Sequence, residues 1–263
     1  MKLPIYQVDA FTDEPLTGNP AAVVLLETPA EAGWMCSVAA EMNLSETAFV
    51  CPQEGGFNLR WFTPKVEVEL CGHATLASAH VLWESGIVPE DHEILFLARS
   101  GRLPIRKEGE FIQMDFPAAG VTTGTLPEGV QPAIGAQPSF IGVSGEKWLL
   151  EFADESIVRS LAPDFAALRS IKGRGLIATS RSGRQGVDFV SRYFAPWIGI
   201  DEDPVTGSAH TILGPYWAAK LGKSELVAQQ VSSRGGTLRL QVSGNRVLIA
   251  GRAVTVFRGE LFV

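Results

Sequence analysis

Short apolar runs bounded by turn residues fill much of the first sixty residues, and such runs predict strands. The predicted strands cover residues 3–10, 21–27, 47–51 and 57–62. Thr17-Gly18-Asn19-Pro20 provides a turn between the first two strands. One helix is predicted at 30–42 and is closed by Asn43. This part of the chain is therefore predicted to be mostly strands with one helix.

A second helix, predicted at 72–84 and ended by Gly86, has no charged face, and its early turns are small residues. A helix that is apolar nearly all round must be buried. The following segment, 95–116, reads as a strand meander with turns near Gly101 and Gly109. Residues 117–138 contain prolines and glycines without periodicity, which is typical of a linker.

The rest of the chain repeats this order of elements. Strands are predicted around 140–152 and 186–194, a helix at 207–220 and a meander at 229–258. Within that helix Gly214 precedes Pro215, and proline removes a backbone donor and clashes with the preceding turn. We therefore expect a kink or an early break of the helix at this point.

The residues themselves also repeat, which indicates an internal duplication. Phe57–Pro64 aligns with Phe189–Pro196 through a shared Arg-aromatic-Phe-x-Pro motif. Three further glycine pairs share an offset of 135 residues: Gly72 with Gly207, Gly101 with Gly236, and Gly109 with Gly244. A constant offset at glycines is informative because glycine marks backbone positions that other residues fit poorly. The period is too long for a solenoid and indicates two homologous halves.

The duplication and the buried helices together predict the fold. We expect an α+β protein with two pseudo-symmetric domains, each a curved, mixed and mostly antiparallel sheet wrapped around one central helix. The predicted domains are 1–117 and 118–263, and the last strand, 254–263, is expected to cross back to the first half. The cleft between the two halves is the first place to look for a site.

Composition narrows the function classes. The chain has 263 residues, 46% of them hydrophobic, and a formal net charge of −7 without a lysine or arginine cluster. These features disfavour nucleic-acid and membrane partners. Cys36, Cys51 and Cys71 are an odd number without C-x-x-C spacing, which argues against a disulfide framework or a metal site. We expect a cytoplasmic protein, because no apolar run or leader pattern suggests otherwise.

Both central helices are predicted to begin at a glycine, Gly72 in Cys71-Gly72-His73 and Gly207 in Thr206-Gly207-Ser208. A helix N-terminus presents unpaired N–H groups and a partial positive charge, which suit an anion such as a carboxylate. The alternative is that Thr206 and Ser208 only cap a helix. Because the motif is repeated in register, the ligand-site interpretation is preferred.

Glu46 is the candidate acid or base. It enters an apolar strand, where burial would raise the pKa of its carboxyl group toward neutrality and suit it to proton transfer. The alternative is a capping box formed by Asn43 and Glu46, which have the required spacing. The spacing alone leaves both interpretations open.

Asp203 and His73 lie beside the two helix starts. Asp203 is a candidate for orienting a histidine or binding a substrate amine, although acidic residues often precede helices because they suit the dipole. His73 is a candidate proton relay or a donor to the substrate, with a satisfied polar residue as the alternative. The remaining histidines, His80, His92 and His210, share no metal-ligand spacing and are interpreted as structural.

Cys71 precedes Gly72 and suggests a nucleophile or a two-thiol racemase. The matching residue of the second half is Thr206, which offers no thiol, so we interpret Cys71 as a small buried residue. The chain also lacks G-x-G-x-x-G after a strand, the P-loop motif and G-x-S-x-G. Nicotinamide, nucleotide and α/β-hydrolase chemistry therefore lose support.

Four ordered motifs resemble the phenazine-biosynthesis PhzF-like family over nearly the whole chain. They are Val8–Phe11 with Gly18-Asn19-Pro20, Met42–Glu46, Cys71–Thr75 and Asp203–Ala209. The resemblance implies a diaminopimelate-epimerase-like fold, a homodimer and an isomerase without a cofactor or a metal.

The resemblance also implies roles for individual residues. Glu46 corresponds to the proton shuttle, and His73 assists it. Asp203 and Ser208 hold the substrate, with the backbone amides around Gly72 and Gly207 near its carboxylate. The reaction for which the family is named moves a proton between carbons of trans-2,3-dihydro-3-hydroxyanthranilate, within phenazine biosynthesis.

We therefore predict a cofactor-independent isomerase of small carboxylates, with Glu46 as general acid and base in the cleft between the domains. One alternative is an amino-acid racemase or epimerase that uses Cys71. Another is a small-molecule-binding protein that retains the fold and lacks turnover.

Overall fold

The computed structural model describes residues 2–262, which form two compact units. Among the described residues, unit 1 comprises those up to Asp115 and those from Ala250 onward, and unit 2 comprises Phe116–Ile249. The strands are β1 (Lys2–Ala10), β2 (Asn19–Leu25), β3 (Glu46–Gln53), β4 (Gly56–Phe62), β5 (Glu67–Val68), β6 (Ile94–Ala98), β7 (Gly101–Glu108), β8 (Phe111–Pro117), β9 (Thr122–Thr123), β10 (Phe140–Ser144), β11 (Lys147–Glu151), β12 (Gly175–Arg181), β13 (Phe189–Ala195), β14 (Ile200–Asp203), β15 (Glu225–Gln230), β16 (Gly236–Ser243), β17 (Arg246–Gly251) and β18 (Ala253–Phe262). The helices are α1 (Ala32–Met42), α2 (Gly72–Glu84), α3 (Val130–Ile134), α4 (Glu155–Ser160), α5 (Phe165–Arg169) and α6 (Gly207–Leu221).

Unit 1 is a mixed sheet built around α2. β18, β1 and β2 pair antiparallel, β2 pairs parallel with β3, and β3 pairs antiparallel with β4. β4 then pairs antiparallel with β5 and parallel with β6, and β6, β7 and β8 form the predicted antiparallel meander. α2 contacts β1, β2, β3 and β18, and α1 contacts β3 and β4.

Unit 2 repeats this pairing scheme around α6. β9, β10 and β11 pair antiparallel, β11 pairs parallel with β12, and β12 pairs antiparallel with β13. β13 pairs antiparallel with β14 and parallel with β15, and β15 pairs antiparallel with β16. The succession of parallel and antiparallel pairs from β1 to β7 therefore recurs from β10 to β16. The predicted fold class, two pseudo-symmetric α+β halves with one central helix each, is confirmed.

One ion pair is duplicated with the fold. Arg60 on β4 donates Nε and Nη2 to the two carboxylate oxygens of Glu67, at 2.7 and 2.8 Å. Arg192 on β13 holds Glu202 with the same two atoms at the same distances. A bidentate arginine fixes both position and angle of a carboxylate. In each unit it therefore attaches the short strand that leads to the central helix.

α2 is buried nearly all round, as its sequence predicts. Of its 13 residues, ten are buried, including His73, Thr75 and Ser78. The hydroxyl groups of Thr75 and Ser78 donate to backbone carbonyls one turn earlier in the chain, at 2.6 and 2.7 Å. The helix thus satisfies its own polar side chains and can be enclosed by strands.

The predicted early break at Pro215 is wrong, because α6 runs through that residue to Leu221; the alternative, a kink, stays a prediction. Proline leaves the carbonyl group four residues earlier, that of Thr211, without its helical donor. In unit 2 the backbone N–H of Ala119 donates to this carbonyl at 3.0 Å. A neighbouring segment thereby replaces the hydrogen bond that the helix lacks.

Residues 117–138, predicted as an unstructured linker, contain β9 and α3. The sequence-based assignment also omitted β12, α4 and α5. α3, α4 and α5 pack on the β11–β13 part of the sheet, in a core that includes Val158, Leu168 and Phe194. None of the helices in residues 2–262 is long and apolar enough to cross a membrane.

Candidate active site

Glu46 lies at the start of β3, directly after the turn that closes α1. Asn43 caps the C-terminus of α1 in the left-handed conformation, with φ of 51°. The capping-box interpretation of Asn43 and Glu46 is therefore wrong, because Asn43 ends a helix and residues 46–53 form a strand. The Glu46 side chain is 14% exposed, so the carboxyl group is mostly buried but remains accessible.

His73, the second residue of α2, contacts side chains from three segments. Its Nε2 atom lies 3.3 Å from Oε2 of Glu46. Its Nδ1 atom lies 3.3 Å from Nδ2 of Asn19, at the start of β2, and 3.4 Å from Sγ of Cys71. The start of α2 therefore brings together two of the predicted catalytic residues, Glu46 and His73, with Cys71 and Asn19.

The protonation state of His73 follows from burial and from these contacts. Burial lowers its pKa from 6.5 to about 4, so the ring is neutral at pH 7. Nδ1 faces the Asn19 amide nitrogen and the Cys71 thiol, which both donate hydrogen bonds, so Nδ1 is assigned as the acceptor. Nε2 then carries the proton and lies 3.3 Å from Oε2 of Glu46. His73 can therefore orient the carboxylate without adding a positive charge.

The same residues are the ones that could hold a metal. Ligand atoms of Glu46, Cys71 and His73 all lie within 4.8 Å of one another. One oxygen, one thiolate and one imidazole are a donor set that zinc accepts. The expectation that no metal takes part stays a prediction.

In unit 2, Asp203 is the last residue of β14 and lies three positions before the N-cap of α6, Thr206. Within residues 2–262 the Thr206 side chain does not cap α6, because its hydroxyl group donates to Oδ2 of Asp203 instead. Gln230 on β15 accepts a hydrogen bond from the Thr206 backbone at 2.8 Å and donates to the Asp203 carbonyl at 2.7 Å. The Gln230 side chain therefore fixes the segment before α6 at two positions, Asp203 and Thr206.

Ser208, the second residue of α6, is exposed and contacts a lysine that the sequence analysis did not identify. Nζ of Lys147 lies 2.9 Å from Oγ of Ser208 and 3.4 Å from its carbonyl oxygen. The ammonium group also lies 5.4 Å from the centre of the Tyr193 ring. The predicted substrate-binding residues of unit 2, Asp203, Gly207 and Ser208, therefore share their surroundings with a cation.

Gly72 and Gly207 begin α2 and α6, as predicted. Across residues 2–262, neither central helix has a side-chain cap at its N-terminus. The alternative in which Thr206 serves as a helix cap is therefore wrong. Uncapped first turns leave a partial positive charge that an anion can stabilise.

The other three histidines contact residues outside the cluster around His73. His210 in α6 is fully buried, donates from Nδ1 to the Thr206 carbonyl at 2.8 Å and stacks on Phe189. Burial lowers its pKa to about 4. His80 contacts Thr255 at 3.1 Å, and His92 is exposed beside Asp91.

Sequence reasoning missed Asn19, Lys147 and Gln230 as residues that contact the predicted site. Asn19 belongs to a motif that supports the family resemblance, but its spacing from His73 gives no sign of contact. Lys147 is one charged residue in a strand of ordinary composition. It lies two residues after the turn at Gly145, in a sequence that matches no motif indicating a functional role.

Known proteins resemble this chain along most or all of its length. The sequence profile of the PhzC-PhzF family, described as phenazine biosynthesis-like protein, matches residues 8–259. The chain is 48% identical to an uncharacterized isomerase of Halalkalibacterium halodurans over the full length of both proteins. The crystal structure of a PhzF family protein from Enterococcus faecalis superimposes with a TM-score of 0.95 at 42% identity and covers both chains completely.

A more distant structure supports the fold alone. A predicted epimerase from Pseudomonas aeruginosa matches 99% of each chain with a TM-score of 0.74 at 21% identity. The profile match spans most of the chain, and the relatives of high identity match it from end to end. The chain therefore belongs to the phenazine biosynthesis-like PhzC-PhzF family and is an isomerase.

Proposed function

We propose that this isomerase moves a proton between two carbon atoms of a small carboxylate substrate, with Glu46 as the group that removes and returns it. The observation that carries the proposal is the 3.3 Å contact between Oε2 of Glu46 and Nε2 of a histidine that is neutral at pH 7. A cationic partner would stabilise the carboxylate and weaken it as a base. A neutral donor orients Glu46 and leaves it able to accept a proton.

The step balances without a cofactor. Glu46 takes a proton from one carbon, and the electron pair left behind shifts the double bond. Glu46, now protonated, delivers a proton to the second carbon as the electron pair moves there, and because its side chain is 14% exposed this proton can first exchange with solvent. A positioned carboxyl group suits both halves of this step.

The predicted binding residues of unit 2 support a charged, polar substrate. Asp203 offers a carboxylate for an amine or hydroxyl group, and Ser208 offers an exposed hydroxyl group. The uncapped start of α6 at Gly207 favours an anion. We infer that these residues and Gly72 bind the polar groups of the substrate on which Glu46 acts, in the cleft predicted between the halves.

The test is deuterium incorporation into trans-2,3-dihydro-3-hydroxyanthranilate in heavy water, followed by mass spectrometry. We expect the wild type to incorporate one deuterium at the carbon that gains the proton. Glu46→Gln keeps the size of the side chain and removes the base, so exchange should fall by roughly 10²- to 10⁴-fold. The matched control is Glu41→Gln at the exposed end of α1, which should exchange at the wild-type rate.

Two outcomes would contradict the proposal in different ways. Wild-type exchange rates in Glu46→Gln would exclude Glu46 as the proton carrier. Absence of both isomerised product and exchange in the wild type would exclude this substrate, and the assay would then be repeated on other small unsaturated carboxylates.

A racemase that uses Cys71 is the second candidate. The observation in its favour is the 3.4 Å contact between Sγ of Cys71 and Nδ1 of His73, because a histidine can activate a thiol. Its corresponding residue in unit 2 is Thr206, which cannot supply a second thiol. Racemisation of an amino acid by the wild type that is lost in Cys71→Ala would favour this candidate.

A further inference from the structure

The repeated strand registers show which residues of unit 2 correspond to Glu46. In unit 1 Thr47 pairs with Phe62, and in unit 2 Leu176 pairs with Phe194, the equivalent phenylalanine of the duplicated motif. The residue before Thr47 is Glu46, and the residue before Leu176 is Gly175. Gly175 therefore occupies the place that Glu46 has in unit 1.

Gly175 cannot be replaced by a larger residue without movement of Tyr193. A Cβ atom at this position would lie 2.2 Å from the Tyr193 hydroxyl oxygen. The hydroxyl group of Tyr193 thus fills the space of the missing side chain, and unit 2 has no acid at the position of Glu46. The chemistry of this site must come from a neighbouring position.

Lys147 occupies that neighbouring position. Across the parallel pair Glu46 lies opposite Ala21 in unit 1, and Gly175 lies opposite Lys147 in unit 2. Where unit 1 has a glutamate beside an alanine, unit 2 therefore has a glycine beside a lysine. The duplication has exchanged an acidic group for a basic group on the adjacent strand.

The Lys147 ammonium group lies at the start of α6, among charged groups of both signs. The group donates to Oγ of Ser208 at 2.9 Å, at the positive end of α6, and lies over the Tyr193 ring. Burial, helped by the positive charge of Arg174, lowers the pKa of Lys147 to about 8, while Asp203 raises it. An anion that binds here would gain from both the ammonium group and the helix start.

We propose that the Lys147 ammonium group binds the carboxylate of the substrate, beside the Ser208 hydroxyl group at the start of α6. The inference rests on the proposed function in taking the substrate to be a small carboxylate. Asp203, which accepts a hydrogen bond from the Thr206 hydroxyl group, is the acidic residue near Lys147 that would face the amine or hydroxyl group of the same molecule. A substrate that carries both a carboxylate and an amine, as an aminobenzoate does, matches this pair of opposite charges.

The experiment measures binding of anthranilate (2-aminobenzoate) and of aniline, which lacks the carboxylate, by isothermal titration calorimetry. We expect the wild type to bind anthranilate more tightly than aniline. Lys147→Met should weaken anthranilate binding by roughly 10- to 100-fold, the range for loss of a hydrogen bond to a charged group. Lys147→Arg should retain most of the affinity, because it keeps the charge. Lys172→Met, at an exposed lysine of unit 2, is the control and should bind as the wild type does.

A pH series separates a charge contact from a packing effect. The charged and titratable groups around Lys147 are Asp203 from β14, Tyr193 from β13 and Arg174 before β12, with Glu146 beside Arg174. Lysine binds an anion only when protonated, so wild-type affinity should fall above pH 8 by about tenfold per pH unit. Lys147→Arg should show no such fall over this range, because arginine stays charged. Circular dichroism establishes that each variant is folded.

Equal affinity of wild type and Lys147→Met for anthranilate would overturn the inference, as would equal binding of anthranilate and aniline to the wild type. Failure of the wild type to bind anthranilate also counts against it. Calorimetry needs no turnover. Wild-type exchange rates in Glu46→Gln would therefore refute the proposed function, while the binding data decide the role of Lys147 independently.

Discussion

Two buried histidines, one in each central helix, link the stability of this protein to pH. Burial lowers the pKa values of His73 and His210 from 6.5 to about 4. Between these values the unfolded chain binds protons that the folded chain does not, so the free energy of unfolding rises with pH. Their contribution is complete above pH 6.5 and is lost as the pH falls toward 4.

The expected magnitude follows from the size of the shift. Each pH unit in this window corresponds to about 1.4 kcal/mol for one histidine. Between pH 7.5 and pH 5 we therefore expect each of the two residues to remove about 2 kcal/mol from the free energy of unfolding. Glu67 and Glu155 also have lowered pKa values. Because the ordinary value of a glutamate is 4.5, these carboxyl groups change the free energy of unfolding mainly below pH 5.

The assay is urea unfolding at pH 7.5 and at pH 5, monitored by tryptophan fluorescence. His73→Gln and His210→Gln should each reduce the difference between the unfolding free energies at pH 7.5 and pH 5 by about 2 kcal/mol. This holds even if the substitution also changes the stability at both pH values by the same amount. His92→Gln changes an exposed histidine beside Asp91 and should leave the difference at its wild-type value. Burial also lowers the pKa of His80. Because this residue is present in the wild type and in all three variants, it contributes the same pH dependence to each of them.

An unchanged pH dependence in both His73→Gln and His210→Gln would refute this reasoning. It would mean that the two rings titrate in the folded protein at their ordinary pKa of 6.5. His73 would then be partly cationic beside Glu46 at pH 7, and the argument for a neutral donor would lose its basis in burial.

Two further predictions concern the duplicated ion pair and the possible metal site of Glu46, Cys71 and His73. Arg192→Met should cost about 3–5 kcal/mol in urea unfolding, because it leaves the mostly buried Glu202 unpaired. Lys2→Met breaks the exposed pair with Glu260 and should cost less than about 1 kcal/mol; similar losses in the two variants would contradict the role given to burial. Dialysis against a chelator should leave deuterium exchange unchanged, since the proposed step needs no metal. Activity that disappears with the chelator and returns with Zn²⁺ would instead assign a metal to Glu46, Cys71 and His73.

Long repeated patterns were predictable from the sequence, and short elements were not. The offset of 135 residues between glycines indicated two similar halves, and the absence of charges in α2 indicated its burial. α3 and α5 have five residues each and α4 has six, too few for a helical period to be distinguished from chance. Continuation of α6 through Pro215 depended on a donor from Ala119, 92 positions before the Thr211 carbonyl group that accepts it, which no local pattern encodes.

The residues of the candidate site also fall into two groups, those that the sequence indicated and those that it did not. The role of Ser208 was implied by the family resemblance. Glu46 was identified by its residue type at the start of a predicted strand, and His73 and Asp203 by their positions next to predicted helix starts. Asn19, Gln230 and Lys147 were not, because each contributes through a contact between distant segments. Asn19 and His73 are 54 positions apart, and Lys147 and Ser208 are 61 apart.

The sequence by itself determined the repeated α+β architecture, the enclosed helix of each half and the kinds of chemical group at the two helix starts. These features depend on periodicity and composition, which are local properties of the chain. The tertiary structure alone decided which groups meet: the neutral histidine with the glutamate in unit 1, and the lysine with the serine in unit 2. Strand register decides such contacts, because a shift of one residue would turn every side chain of the strand to the opposite face of the sheet.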